Sequence, residues 1–103
     1  MAREQLQTLS EPMYYVLLAL TKPMHGYEIM HTVSSMTGGR LKVGAGTLYA
    51  LLARFENEGI VALVSDDGRR KVYSITEKGR GLLDQEYLRL KELIAAYIKH
   101  LLI

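Results

Sequence analysis

One dipeptide constrains this chain more than any other. Asp67-Gly68 sits between two short β-prone runs, Ile60 to Ser65 and Lys71 to Ile75. Asp-Gly between apolar runs predicts a β-hairpin, because glycine supplies the positive φ that a tight reversal needs. The other periodic stretches repeat at helical spacing, so the chain has to pack helices around a single hairpin. With 103 residues there is room for one domain. Apolar residues make up 49% and charged residues 23%, a balance that folds instead of staying disordered. The core at this length is small, so burial against a second copy would help.

Four helical patterns surround the hairpin. The first starts at Ser10, a capping residue, with Glu11 and Pro12 in its first turn. Met13, Val16, Leu17 and Leu20 then fall on one face, and Thr21-Lys22-Pro23 breaks the pattern. The second runs from about Gly26 to Thr37, with Ile29, Met30, Val33 and Met36 inward and Gly38-Gly39 as its stop. Arg40 to Val43 alternates polar and apolar, which predicts a short strand or an extended linker. A third helix follows Gly44-Ala45-Gly46, turns Leu48, Leu51, Leu52 and Phe55 inward, and ends at Glu58-Gly59. Thr76 caps a long final helix, with Leu82 or Leu83 beginning an apolar face that reaches Leu102. The order helix, helix, linker, helix, hairpin, helix is that of a winged helix-turn-helix. The expected fold is therefore mainly α with a small β-hairpin. Residues 1–75 would form the winged unit and 76–103 a dimerisation helix, in one compact body.

Charge placement carries the functional reading, since 13 Lys+Arg against 11 Asp+Glu leave only +2. The outer face of the third helix has small residues at Ala45, Gly46, Ala50 and Ala53, so it can approach a surface closely. Tyr49 and Arg54 are its two large outward groups. The helix start, at Gly46 and Thr47, offers unpaired N–H groups to a phosphate. Arg69, Arg70 and Lys71 follow the hairpin turn directly, and Arg40 and Lys42 precede the third helix. A basic hairpin tip beside an exposed helix suits duplex DNA. A solvated hairpin and an ordinary amphipathic helix would carry the same residues.

Four segments together resemble the PadR family of transcriptional regulators. They are Pro23-Met24-His25-Gly26-Tyr27-Glu28-Ile29, Gly44-Ala45-Gly46-Thr47-Leu48-Tyr49, Glu56-Asn57-Glu58-Gly59-Ile60, and Arg69 through Gly79. The resemblance runs from about Leu9 into the last helix. It implies a dimeric repressor with the third helix in the major groove and the hairpin as a wing. Many relatives have Pro where this chain has Ala50. The short final segment resembles the compact branch, which has one C-terminal helix. Relatives in that branch bind drugs between stacked tryptophans, and this chain has no Trp.

The final helix predicts a homodimer. Leu83, Tyr87, Leu90, Ile94, Tyr97 and Leu101 alternate by four and three, the seam of paired helices. Leu93, Ile98 and Leu102 widen that face, so Met13, Tyr14 and Leu17 of the first helix are expected to join it. Tyr14, Tyr15, Tyr87 and Tyr97 are candidates to line a pocket between subunits for a small aromatic effector; the competing reading, that they fill the dimer interface and bind nothing, carries more weight, since apolar residues at helical spacing are most often packing.

Other classes fare worse. Zero Cys excludes disulfide scaffolds, thiolate metal sites and thiol nucleophiles, and fits a cytoplasmic location. The longest apolar run, Met13 to Leu20, is too short for a membrane span, and no export leader is expected. His25 and His31 lie on different helix faces and His100 is distant, so no metal or other cofactor is expected; His25 reads as a structural residue at the start of the second helix. Gly44-x-Gly46 lacks the third glycine of a dinucleotide fingerprint, Tyr49 standing there. No residue set marks a nucleophile, so an enzyme is not expected. The competing reading is a winged helix that binds protein and not DNA.

Overall fold

A computed structural model describes residues 8–103. The first seven residues of the expected 1–75 unit lie outside it. Helix α1, Glu11–Ala19, is capped by the Ser10 hydroxyl, which accepts from the Met13 N–H at 3.3 Å. It sinks Val16, Leu17 and Leu20 fully into the core. Strand β1, Met24–His25, follows directly. Nothing in the sequence pattern announces it, since two residues carry no period. It forms because β3 has a free edge: Met24 pairs with Tyr73 and His25 with Val72, antiparallel.

Helix α2, Gly26–Met36, starts on a reciprocal cap. His25 Nδ1 accepts from the Glu28 N–H at 3.4 Å, and Glu28 Oε1 accepts from the His25 N–H at 3.1 Å. His25 is thus a structural residue, as expected. Ile29 and Val33 are buried, whereas Met36 is exposed, against expectation. It sits on the last helical residue, where the chain turns away at Gly38-Gly39 and leaves nothing to cover it. Residues 40–44 form the extended linker and not the short strand.

Helix α3, Ala45–Asn57, buries Leu48, Leu52 and Phe55. Strands β2, Val61–Asp66, and β3, Lys71–Ile75, form the predicted hairpin. The register shifts between Leu63 and Ser65, and the sheet order is β1-β3-β2. Helix α4, Glu77–Leu101, is 25 residues long, about 37 Å at the usual rise. Thr76 ties it to the turn between α3 and β2: its hydroxyl donates to the Gly59 carbonyl at 2.6 Å and accepts from the Gly79 N–H at 3.1 Å.

The two halves of α4 differ. Gly79, Leu83 and Glu86 are buried against the body, while residues 91–101 are all exposed and project from it. Leu17 and Leu83, expected at a dimer seam, are therefore already consumed by the core of their own chain.

Glu86 is the one buried acid among the described residues. Arg89 meets it through two bonds, Nε to Oε1 at 3.0 Å and Nη2 to Oε2 at 2.6 Å. The Arg89 hydrogen bonds hold the Glu86 carboxyl below its ordinary range, although burial pushes the other way. A carboxylate whose folded pKa is depressed stabilises the fold above its unfolded pKa of about 4.3 and loses that contribution as pH falls through the folded value. Thermal melts between pH 7 and pH 3 should show Tm falling at the acid end. Glu86→Gln should be less stable at pH 7 and should show a flatter acid limb. An acid limb as steep as wild type would remove Glu86 as its source.

Candidate nucleic-acid interface

Gly44 is the N-cap of α3 and provides no side-chain cap, and the first turn holds no acid. The Ala45, Gly46 and Thr47 end of the helix therefore keeps its positive dipole end uncompensated. The face opposite Leu48, Leu52 and Phe55 is built on Gly46, Ala50 and Ala53, all exposed, with Thr47 beside them. Tyr49 and Arg54 stand on opposite flanks of that face. Tyr49 is half-exposed and leans across Gly26, where its ring end occupies the space a Cβ would take. Arg54 is less free than the sequence implied. Its Nε is held by Glu58 Oε2 at 2.9 Å, one turn on.

The wing turn is shaped by two aspartates. Asp66 Oδ1 accepts from the Gly68 N–H at 2.9 Å, and Gly68 has φ +87°. Asp67 Oδ1 accepts from the Arg69 and Arg70 N–H groups at 3.0 and 2.8 Å. Those backbone bonds hold the Asp67 carboxyl below its usual range. The backbone of the basic tip is pinned while its side chains stay outside. Arg69, Arg70 and Lys71 are exposed, and none makes an ion pair among the described residues. Lys42 is likewise exposed in the linker. Arg40, by contrast, is committed to Glu11 through contacts of 2.6 and 3.2 Å and adds no free charge there.

The wing and the starts of α2 and α3 enclose an open cleft of about 500 Å³. Arg69, Arg70 and Lys71 line one side, and His25, Tyr27 and Tyr49 the other. Tyr73 forms part of the lining and is itself buried. Burial, and then the charge of Glu56, raise its hydroxyl pKa. The structure thus brings Tyr49 to the wing cations. Lys42 and Arg54 do not line the cleft. Tyr27 and Tyr73 do, although no local pattern in the sequence marks them for it. A signal lay instead in Gly26, whose missing side chain lets Tyr49 lean toward α2.

Within one chain the four tyrosines expected around an effector pocket between subunits are spread along α1 and α4. Tyr14 and Tyr87 border a 280 Å³ cleft between α1 and α4, with Arg80 and Asp84. Tyr14 and Tyr15 border a second, of 270 Å³, with Glu86 and Arg89. Their rings meet edge to face at 5.6 Å, and Lys91 Nζ lies 5.4 Å over Tyr87. Tyr97 borders neither cleft. It is ten residues beyond Tyr87, about 15 Å further along α4.

Comparison with known proteins agrees with this architecture. Residues 16–85 match the transcriptional regulator PadR-like family. The chain is 34% identical over 91 residues to an uncharacterised protein X of Lysinibacillus sphaericus, covering 82% of this chain and 84% of that protein. It is similar to the crystal structure of a PadR family transcriptional regulator from Eggerthella lenta, with TM-score 0.70 and 28% identity over 85% of this chain and 75% of that one. A PadR-like transcription factor from Bacteroides fragilis superposes with TM-score 0.67 and 32% identity, covering 84% of this chain and 85% of the other. No described helix is long and apolar enough to cross a membrane.

Proposed function

Because this chain belongs to the PadR-like family of transcriptional regulators, we propose that it is a dimeric repressor of the cytoplasm that binds a palindromic DNA duplex. The observation that carries the reading is the cleft that sets unpaired wing cations beside a small-faced helix. In this reading Ala45, Gly46, Thr47, Tyr49 and Ala50 enter the major groove, with Arg54 at the rear. Arg69, Arg70, Lys71 and Lys42 meet phosphates. The two α3 helices of a dimer would read half-sites about one helical turn apart.

The second subunit would dock along α4, at Tyr87, Leu90, Ile94, Tyr97 and Leu101, with Met13 and Tyr14 of α1 alongside. Exposed apolar side chains on the outer half of α4 support this. A contiguous patch of that kind on a small protein marks an interaction surface. A small aromatic effector would relieve binding from the clefts around Tyr14, Tyr15 and Tyr87, with Tyr97 reaching them only across the dimer.

Salt dependence tests the wing. Each phosphate neutralised contributes about 0.9 to the slope of log affinity against log salt. Replacing Arg69 by Ala removes two such contacts per dimer, so the slope should flatten by about two. Affinity should fall by similar factors for the duplex upstream of its own gene and for unrelated duplex, since phosphates carry no sequence. The measurement is fluorescence anisotropy across a salt series. A slope identical to wild type would leave the wing a solvated hairpin and favour a protein partner.

A further inference from the structure

The wing cations and Tyr49 across the 500 Å³ cleft have roles in the proposed function, and Tyr27 beside Tyr49 has none yet. On that side Tyr27, in the first turn of α2, is 72% exposed. A large aromatic ring left in water at a helix start contributes little to folding. The ring end of Tyr49 lies over Gly26, the residue before Tyr27, so two phenols stand together on this wall. Among the described residues neither hydroxyl has a hydrogen-bond partner. No carboxylate lines the cleft. Glu28, the acid nearest in sequence, is turned back onto the His25 N–H at 3.1 Å.

A cleft with idle hydroxyl donors on one side and three cations on the other fits an anion with several acceptor oxygens. Its open form suits a continuous strand and not an enclosed small anion. We infer that one strand of the duplex passes between the wing and the start of α2, and that the Tyr27 hydroxyl donates to a backbone phosphate there, beside Tyr49. The inference rests on the DNA-binding reading and adds a contact residue outside α3 and the wing. It also assigns that contact a distinct signature. A neutral hydroxyl bound to a phosphate strengthens the complex without releasing a counterion, so it leaves the salt slope alone.

The test is Tyr27→Phe in the full chain, with Arg69→Ala as comparator, measured by anisotropy on operator and unrelated duplexes across a salt series. Tyr27→Phe should bind at least about tenfold more weakly, since a hydrogen bond to a charged group is lost in each subunit. The loss should be equal on both duplexes, with slope and Tm unchanged. Arg69→Ala should lower the slope. Affinity within about twofold of wild type would overturn the inference. A loss confined to the operator would overturn it too, as it marks a base contact, and so would a reduced slope, as it marks disturbed wing cations. Wild type that binds no duplex would instead remove the DNA-binding reading itself, a result seen before any variant is made.

Discussion

Gly79→Ala should unfold this protein at a markedly lower temperature, whereas Gly81→Ala two residues away should stabilise it. Both glycines lie in the first turns of α4, and alanine is the better helix former by about 1 kcal/mol. The difference is space. A Cβ at Gly79 would run into the Ile60 backbone carbonyl and lie 2.8 Å from Ile75 Cγ1. A carbonyl cannot rotate aside as a side-chain end can. The same helix end is held by Thr76, whose N–H donates to that Ile60 carbonyl at 3.0 Å, so relief by sliding α4 outward breaks the cap as well. Overpacking of this kind costs about 1–3 kcal/mol or more, and here a cap is lost with it. We expect a net loss of about 3 kcal/mol, or roughly 15 °C in Tm for a chain of this size at fixed concentration. At Gly81 a Cβ meets nothing within 4 Å. Its replacement should raise Tm by a few degrees, up to the propensity gain of about 1 kcal/mol. Equal Tm values for the two variants would show that α4 does not press on Ile60 in solution.

Ile94→Asp should separate folding from assembly. Ile94 is 61% exposed within its own chain and lies beyond Leu83 and Glu86, where α4 leaves the body. A carboxylate there meets only water in the monomer, so helix content by circular dichroism should be retained. In a dimer seam the same group is buried without a partner, at a cost large enough to abolish pairing. Sedimentation should then show a monomer at micromolar concentration. Operator affinity should fall by about 100-fold or more, because the second half-site no longer binds as an intramolecular event. A dimeric Ile94→Asp protein would place the subunit contact elsewhere. An unfolded one would show that the chain has no stable monomer.

The helix caps at Ser10 and Thr76, the breaks at Pro23 and Gly38-Gly39, and the Asp67-Gly68 reversal were legible in the sequence because each is decided within a few consecutive residues. The inward positions Ile29, Val33, Leu48, Leu52 and Phe55 were legible for a similar reason, since one helical face is a short-range pattern. The basic run Arg69-Arg70-Lys71 needed only the turn before it. The rest depended on which surface each pattern meets, and periodicity is silent on that. Leu83 and Ile94 share one apolar seam in sequence, yet the chain's own body covers the first and leaves the second bare. Arg40 looked as free as Arg69 until tertiary folding set Glu11 beside it, whereas the Arg54–Glu58 pair, one helical turn apart, follows from local spacing alone. Strand β1 exists only because β3 presents an edge, and Gly79 is indispensable only because Ile60 lies against it. Tyr27 joins Tyr49, 22 residues on, and the wing cations, 42 or more residues on, only once α2, α3 and the hairpin have packed. Local bonding fixed the elements; long-range contact decided which of their side chains remain available to a partner.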